Sequence, residues 1–314
     1  IILCFTSPDL SQTGKFYWAL FTYITFTTLY TIIAIPVGSL IPAMTQDRDE
    51  RTSLASFRYL GASSGSIAVA VLTLPLVGLF SSPQFGFPIV VGCLAVLGAI
   101  FAFLCFFNTK EVYSKPYEET IGIKKVTKMV FNNYPLHFVI LALLTTWVAN
   151  NIKQLTVVYF VKYNLQLEAY FSPILLGVIL QIMFGAYLVN LIKHRFEKKT
   201  LFMIGTFLYV ITDLIIYYIT GYENFWLLAF IATFGFIGFG MAGVMAWSMI
   251  ADTIEYGEWK SGFRAEGVLN AAHVFVFKLS VGFSAWLAGV ILESTDYVAN
   301  AIDQSLETLN GLFI

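Results

Sequence analysis

A dense cluster of charged side chains interrupts the apolar sequence toward its C-terminal end. Residues 252 to 267 read DTIEYGEWKSGFRAEG, and six of these sixteen residues are charged. If the preceding helix continued through the cluster, Asp252, Glu255 and Glu258 would lie along one stripe at three-residue spacing. Like charges at that spacing repel each other. The pattern therefore predicts that cations lie close to this acidic stripe.

The sequence offers two sources of such cations. Lys260 and Arg264 belong to the same cluster, whereas the stretch TQDRDERT, residues 45–52, carries Arg48 and Arg51. One hypothesis is a breakable ionic gate that joins two halves of the molecule. Exposed ion pairs contribute only about 0–1 kcal/mol each, which suits a gate that must open. The alternative is two independently solvated loops.

The composition around these charges is that of a membrane protein. Hydrophobic residues make up 58% of the 314 residues and charged residues only 12%. A soluble domain has about a quarter of its residues charged. The net charge of −1 indicates no nucleic-acid partner. Three cysteines without CxxC spacing and three scattered histidines predict neither a metal site nor a cofactor.

Eight apolar segments are long enough to cross the bilayer as helices, which takes about 20 residues each. They lie near 16–41, 56–80, 86–108, 134–160, 170–192, 201–220, 225–251 and 268–292, with apolar stubs at 1–6 and from about 306. Because a helix satisfies its own backbone hydrogen bonds in lipid, we predict an all-α polytopic membrane protein. The stubs, and the start without Met, predict that this chain is a fragment cut inside two further spans.

The basic residues orient the predicted spans. The connections at 43–55, 109–133, 193–200 and 252–267 share one side of the membrane by parity, and they carry thirteen of the lysines and arginines. The opposite connections carry only Lys15 and Lys162. The positive-inside rule makes the first set cytoplasmic, in a cell (inner) membrane. The long polar connection 109–133 divides the chain into a partial N-terminal bundle, 1–108, and a C-terminal bundle, 134–314.

Several polar side chains lie inside the predicted spans, where an ionisable group costs at least a few kcal/mol. Lys278 shares a helical face with small and polar residues, and Lys153 lies beside Asn150, Asn151 and Gln154. These patterns favour the lining of a polar cavity. The alternative for Lys278 is a side chain that extends to the interface. Asp213 is a further acid within a span, but no motif surrounds it.

Four more residues are candidate members of a binding site. Arg58 begins its span and either lines a cavity or anchors the helix to lipid headgroups. His273 is either a member of the site or a packed, hydrogen-bonded residue. Thr31 and the adjacent Tyr30 lie on the first complete span, together with Thr27, Ala34 and Gly38. Pro36 can kink this span.

Three stretches resemble signatures of the glycoside–pentoside–hexuronide:cation symporters, the melibiose-permease branch of the major facilitator superfamily. DTIEYGEWKSGFRAEG is similar to one cytoplasmic loop motif of this family. IPVGSLIPAMTQDRDERTSLASFR, residues 35–58, resembles the other, and VVYFVKYNL, residues 157–165, resembles a third stretch. All three occur in the family's order, with the expected number of spans between them.

The resemblance implies two six-helix bundles that rock around a central site, here running from the end of helix 3 to the start of helix 12. It implies that Arg48, Arg51 and Arg264 pair with Asp252, Glu255 and Glu258 as a cytoplasmic gate. It places Arg58 and Lys278 in the binding cavity and implies that Thr31 contributes to a cation site. Ala34 and Gly38 stand where melibiose permease has an aspartate and a tryptophan. Galactoside recognition is therefore not implied.

We expect a monomeric secondary transporter that moves a sugar, glycoside or sugar acid together with Na⁺ or H⁺. The substrate-binding candidates are Tyr30, Thr31, Arg58, Asn150, Lys153, His273 and Lys278. One alternative is a carrier of another cargo, such as a lysolipid, and another is a membrane sensor that does not transport. A membrane enzyme is not indicated, since the sequence has no G-x-S-x-G or metal-ligand spacing.

Overall fold

The protein is described here by a computed structural model, which covers residues 1–6, 8–110, 112, 122–167, 170–220, 224–263, 266–295, 297, 304 and 308. The helices are α1 (Gln12–Met44), α2 (Arg48–Val77), α3 (Pro83–Asn108), α4 (Ile123–Asn132), α5 (Tyr134–Tyr159), α6 (Phe171–Ile192), α7 (Lys198–Ile215), α8 (Phe225–Ser261) and α9 (Glu266–Ser294). A 3₁₀ turn, Ile2–Phe5, precedes α1, and π-helical turns extend α5 and α7 over Phe160–Asn164 and Ile216–Thr220.

Eight of these helices, all except α4, are long and apolar enough to cross a membrane. They coincide with the eight predicted spans, and the prediction of an all-α polytopic membrane protein is confirmed. The predicted C-terminal stub, from about residue 306, lies almost entirely outside the described residues.

Several helices extend beyond the apolar segments that identified them. α2 begins at Arg48 and α7 at Lys198, within stretches predicted as polar connections, and α8 continues to Ser261 rather than ending at 251. The predicted connection 109–133 also contains a whole helix, α4. Hydropathy detects the length of helix that lipid covers, whereas the helix itself continues until a residue stops it.

The ends of α8 show such signals clearly. At its start, the Asn224 side chain accepts a hydrogen bond from the backbone N–H of Leu227, which satisfies one of the unpaired amides of the first turn. At its end, Gly262 adopts a left-handed conformation with φ of 77°, and its N–H donates to the carbonyl of Glu258. A glycine in this conformation is the commonest way to end a helix.

The backbone divides into two compact units, formed by Ile1–Gln46 with Gly61–Pro116 and by Asp47–Leu60 with Tyr117–Ile314. The part of α2 up to Leu60, about three and a half turns, thus belongs to the second unit. α8 lies at the centre of this unit, packed against α6 on one side and α7 on another. The buried aromatic and aliphatic residues Ile182, Tyr209 and Phe239 join these three helices in one cluster.

Glycines allow α6 and α8 to pack with their backbones in contact. A Cβ atom added at Gly185 would overlap the backbone carbonyl of Ile237, and one added at Gly240 would overlap that of Ile182. Small residues at such positions let membrane helices approach closely. The α6–α8 seam therefore depends on the absence of side chains at these two positions.

We expect the substitution Gly185→Ala to lower the free energy of unfolding by about 1–3 kcal/mol, because the methyl group forces two backbones apart. Gly177→Ala in the same helix is the matched control, since nothing lies within 4 Å of an added Cβ there. The control should be neutral or stabilising by up to about 1 kcal/mol. Thermal unfolding in detergent measures both. Equal stability of the two variants would contradict the close seam.

Candidate functional site

The continuation of α8 carries the acidic stripe to the first turns of α2. The guanidinium of Arg51 donates a hydrogen bond to Oε1 of Glu255, and its Nη1 lies 3.8 Å from Oδ1 of Asp252. Arg51 is 1% exposed, whereas both carboxylate side chains are more than 40% exposed. An arginine buried to this degree requires its counter-ions, because a desolvated unpaired charge is strongly destabilising.

Lys198, at the start of α7, is a second buried cation of this group. Its ammonium donates to both carboxylate oxygens of Asp252, at 2.7 and 2.8 Å, and it is 7% exposed. The sequence places Lys198 among the basic residues of the predicted cytoplasmic connections but does not indicate a partner for it. We call Arg51, Lys198, Asp252 and Glu255 the α8 charge network. It balances two cations against two carboxylates.

Further polar contacts attach the start of α2 to the end of α6 and to α8. The Lys193 ammonium donates to the Asp49 carbonyl at 2.9 Å and to the Ser53 hydroxyl, and His194 Nδ1 lies 2.7 Å from Asp49 Oδ2. The buried hydroxyls of Thr52 and Ser248 are 3.2 Å apart. The first turns of α2 thus hold several bonds to other helices of the second unit.

Three predicted gate residues are placed less fully. Glu258 is half-buried one turn beyond Glu255. Arg48 is the first residue of α2, but its side chain and the whole of Arg264 lie outside the described residues. The structure therefore brings together Arg51, Asp252 and Glu255 from the predicted set.

Asp47 caps the first turn of α2. Its Oδ1 accepts hydrogen bonds from the backbone N–H groups of Glu50, at 2.8 Å, and Asp49, at 2.9 Å. The bond from Glu50 in particular holds the pKa of Asp47 below its usual value. A carboxylate at a helix N-terminus also interacts favourably with the helix dipole.

This cap predicts a local pH dependence. Because the pKa of Asp47 is lowered on folding, its stabilising contribution is complete above the unfolded value of 3.8 and is lost as the pH falls through the folded value. Asp47→Ala should accelerate amide hydrogen exchange at Asp49 and Glu50 at neutral pH, with Asp47→Asn between it and the wild type. Unchanged exchange in the alanine variant would contradict the role of the cap.

A second ion pair lies inside the apolar part of the second unit. The Lys153 ammonium, on α5, donates to Oδ1 of Asp213, on α7, at 2.5 Å. It also lies 4.8 Å from the ring centroids of both Tyr209 and Phe236. The two aromatic faces and the carboxylate surround the cation. Asp213 was noted in the sequence as an isolated acid, and the structure gives it a partner.

Arg58 and His273 both pack against the Trp247 ring, His273 in an edge-on arrangement with the ring planes inclined by 70°. The Arg58 guanidinium carbon lies 4.2 Å from the centroid of the Trp247 ring, and the rings of Trp247 and His273 are 4.3 Å apart. His273 is 3% exposed, and its Nδ1 has no hydrogen-bond partner among the described residues. A buried nitrogen without a partner is unusual and indicates a place for a ligand or a water molecule. Trp247 had not been singled out from the sequence.

The other candidates are dispersed. Asn150 is buried in α5, the neighbouring Asn151 lies 3.4 Å from the Ser280 hydroxyl of α9, and Lys278 is half-buried on α9. In the first unit, Tyr30 is exposed and the Thr31 hydroxyl donates to the Thr27 carbonyl at 2.7 Å. Within the described part of the chain, no group of three or more His, Cys, Asp or Glu residues could hold a metal ion.

The eight membrane-length helices found among the described residues indicate a multi-pass membrane protein. The profile of the family described as MFS/sugar transport protein matches residues 1–313. The chain belongs to this family. The resemblance found in its motifs is confirmed.

Curated relatives support this assignment along nearly the whole chain. An uncharacterised symporter, YjmB, of Bacillus subtilis (strain 168) is 35% identical over 99% of this chain and 68% of its own length. The isoprimeverose transporter of Lactiplantibacillus pentosus is 31% identical over 99% and 66%. A putative sulfoquinovose importer of Escherichia coli (strain K12) is 32% identical over 92% and 62%. The chain thus spans about two thirds of the length of these relatives.

Proposed function

We propose that this protein is a secondary active transporter that moves a sugar, a glycoside or a related sugar acid together with Na⁺ or H⁺ by alternating access. It acts without catalysing a reaction and works as a monomer. The observation that carries the proposal is the α8 charge network, because a buried arginine and a buried lysine share two partly solvated carboxylates. Such a network is stable when closed, yet its partly solvated acids can replace the cations with water when it opens.

The family supports the transport class, and the relatives indicate the range of cargo. Relatives are named for isoprimeverose and for sulfoquinovose, so both neutral and anionic sugars are candidates. We propose that Arg58, Asn150, Lys153, His273 and Lys278 of the second unit contact the cargo. The stack of Arg58 on Trp247 offers a guanidinium and a π-face, which suit hydroxyls and a sugar ring. In the first unit we propose Tyr30 and Thr31, with Thr31 as a contributor to a cation site.

We further propose a topology in an inner membrane. The segments 43–55, 109–133, 193–200 and 252–267 face the cytoplasm, and the bundles comprise residues 1–108 and 134–314, joined by 109–133. The excess of lysine and arginine in these segments supports this orientation. In this arrangement the α8 charge network, with Arg48, Glu258 and Arg264, is the cytoplasmic gate.

The test is uptake by the protein reconstituted in liposomes. A panel of neutral sugars, glycosides, sugar carboxylates and sugar sulfonates is offered with an inward gradient of Na⁺ or of H⁺. We expect at least one sugar to accumulate under one gradient and to equilibrate when an ionophore collapses it. Uptake of no sugar under either gradient would refute the proposal. Uptake that ignores both gradients would replace symport with facilitated diffusion.

A further inference from the structure

Helix α4 has two chemically different faces. Its sequence, IKKVTKMVFN, contains three lysines and no acid. Val126, Met129 and Val130 follow at the spacing that places them on one side of a helix. Met129 is 4% exposed and packs in a cluster with Leu136, Ile254 and Leu269. The apolar face is therefore already used in the second unit.

The opposite face of α4 is basic and exposed. Lys124, Lys125 and Lys128 are all exposed to solvent. Phe131 shares their side of the helix, three residues after Lys128, and is 70% exposed. Exposing a large aromatic ring to water costs free energy. At the boundary between lipid headgroups and acyl chains, both the ring and the lysines find favourable surroundings.

The neighbours of α4 place this face at the membrane boundary. The membrane-spanning helix α5 begins immediately after it, at Tyr134, which is 60% exposed. Trp259, near the end of α8, is 79% exposed, and the adjacent Lys260 donates to the Asn132 carbonyl at 2.9 Å. Tryptophan and tyrosine are enriched at the interface between membrane and water. The Lys260 ammonium also lies 4.6 Å from the centroid of the Tyr134 ring, so exposed cations and aromatic rings occur together where α4, α5 and the end of α8 meet.

We propose that the exposed face of α4 binds anionic phospholipid headgroups. Lys124, Lys125 and Lys128 supply the positive charge, while Phe131, Tyr134 and Trp259 enter the interfacial layer beside it. The absence of any acid from α4 gives the face a charge complementary to a phosphatidylglycerol surface. Each lysine near such a surface contributes about 1 kcal/mol, or about a fivefold change in binding.

Lipid binding here bears on α8. Asn133, directly after α4, donates through its side-chain amide to the Thr253 carbonyl of α8 at 2.8 Å. Thr253 lies between Asp252 and Glu255, the two acids of the α8 charge network. A headgroup that fixes α4 at the interface therefore also fixes the end of α8. The interaction is expected whether or not the cargo is a sugar.

The experiment uses photoreactive analogues of phosphatidylglycerol and phosphatidylcholine with matched acyl chains, in liposomes containing the protein. Crosslinked lipid on the peptide 122–134 is quantified by mass spectrometry relative to the lipid-facing peptide 96–107. We expect the phosphatidylglycerol analogue to label the α4 peptide more strongly than the phosphatidylcholine analogue does, each relative to the peptide 96–107. The triple variant K124Q/K125Q/K128Q should lose this preference at least about fivefold.

The matched control is K110Q/R195Q/K199Q, which removes the same charge from three exposed residues of other polar segments. It should keep the wild-type labelling of the α4 peptide. Circular dichroism and gel filtration verify that both variants fold. Equal labelling of the wild type by the two analogues would overturn the proposal, and so would wild-type labelling in the α4 variant. In either case a soluble anionic partner would replace lipid as the candidate ligand of the basic face.

Discussion

Arg51→Gln is expected to reduce the initial rate of sugar uptake at least about tenfold and to lower the free energy of unfolding by about 2 kcal/mol. The substitution leaves the carboxylate of Glu255 without its partner and Asp252 with Lys198 alone. Breaking a fully buried pair costs about 3–5 kcal/mol. We expect less here, because both carboxylate side chains are more than 40% exposed.

Uptake in liposomes and thermal unfolding in detergent measure these effects. The charge-exchanged variant R51E/E255R should recover part of both losses, since it restores one pair with the opposite polarity. Arg195→Gln removes an exposed arginine from a neighbouring segment and serves as the control. Wild-type uptake and wild-type stability in Arg51→Gln would refute the role assigned to the α8 charge network.

The second large effect concerns the intramembrane pair. Lys153→Met and Asp213→Asn should each lower the free energy of unfolding by about 2–3 kcal/mol, because each leaves one unpaired charge in an apolar environment. The side chains are 31% and 41% exposed, which keeps the expected cost below that of a fully buried pair. The double variant K153M/D213N removes both charges and should regain most of the stability.

The uptake of the double variant separates two roles of Lys153. If its ammonium contacts the cargo, as proposed, K153M/D213N should be stable and yet transport poorly. Asp213→Asn alone should shift preference toward anionic sugars, because it releases Lys153 from its counter-ion. Full uptake by the double variant would reduce Lys153 to a purely structural residue. Competition between a neutral sugar and a sugar acid provides the measurement.

The membrane-spanning helices could be predicted from the sequence because the bilayer imposes a minimum length of apolar residues. Their true ends could not, since α8 continues for ten residues past the last predicted position, 251, to Ser261. Glutamate and lysine, which occur in this extension, are good helix formers outside lipid. Hydropathy is therefore blind to the part of α8 that carries Asp252 and Glu255.

Pairings between distant residues were accessible only in part. Arg51 and the acids of α8 lie in motifs that resemble those of the family, and this resemblance predicted that they pair. Lys198 and Asp213 lie outside these motifs, and their partners are 54 and 60 residues away in the chain. Such pairings depend on the rotation of each helix about its axis, which packing against neighbours determines. The one available signal for Asp213 was the cost of an acid in lipid.

The close contact at Gly185 and Gly240 gives α8 a point about which the whole helix can tilt as a rigid body. Gly240 holds α8 against α6 near the middle of the helix, and Glu255 lies fifteen residues further along, about 22 Å away at 1.5 Å per residue. A tilt of about 10° about that fulcrum displaces the carboxylate by roughly 4 Å, more than the reach of a hydrogen bond. A small tilt of α8 at Gly240 is thus enough to separate Arg51 from Glu255 while every turn of the helix stays intact.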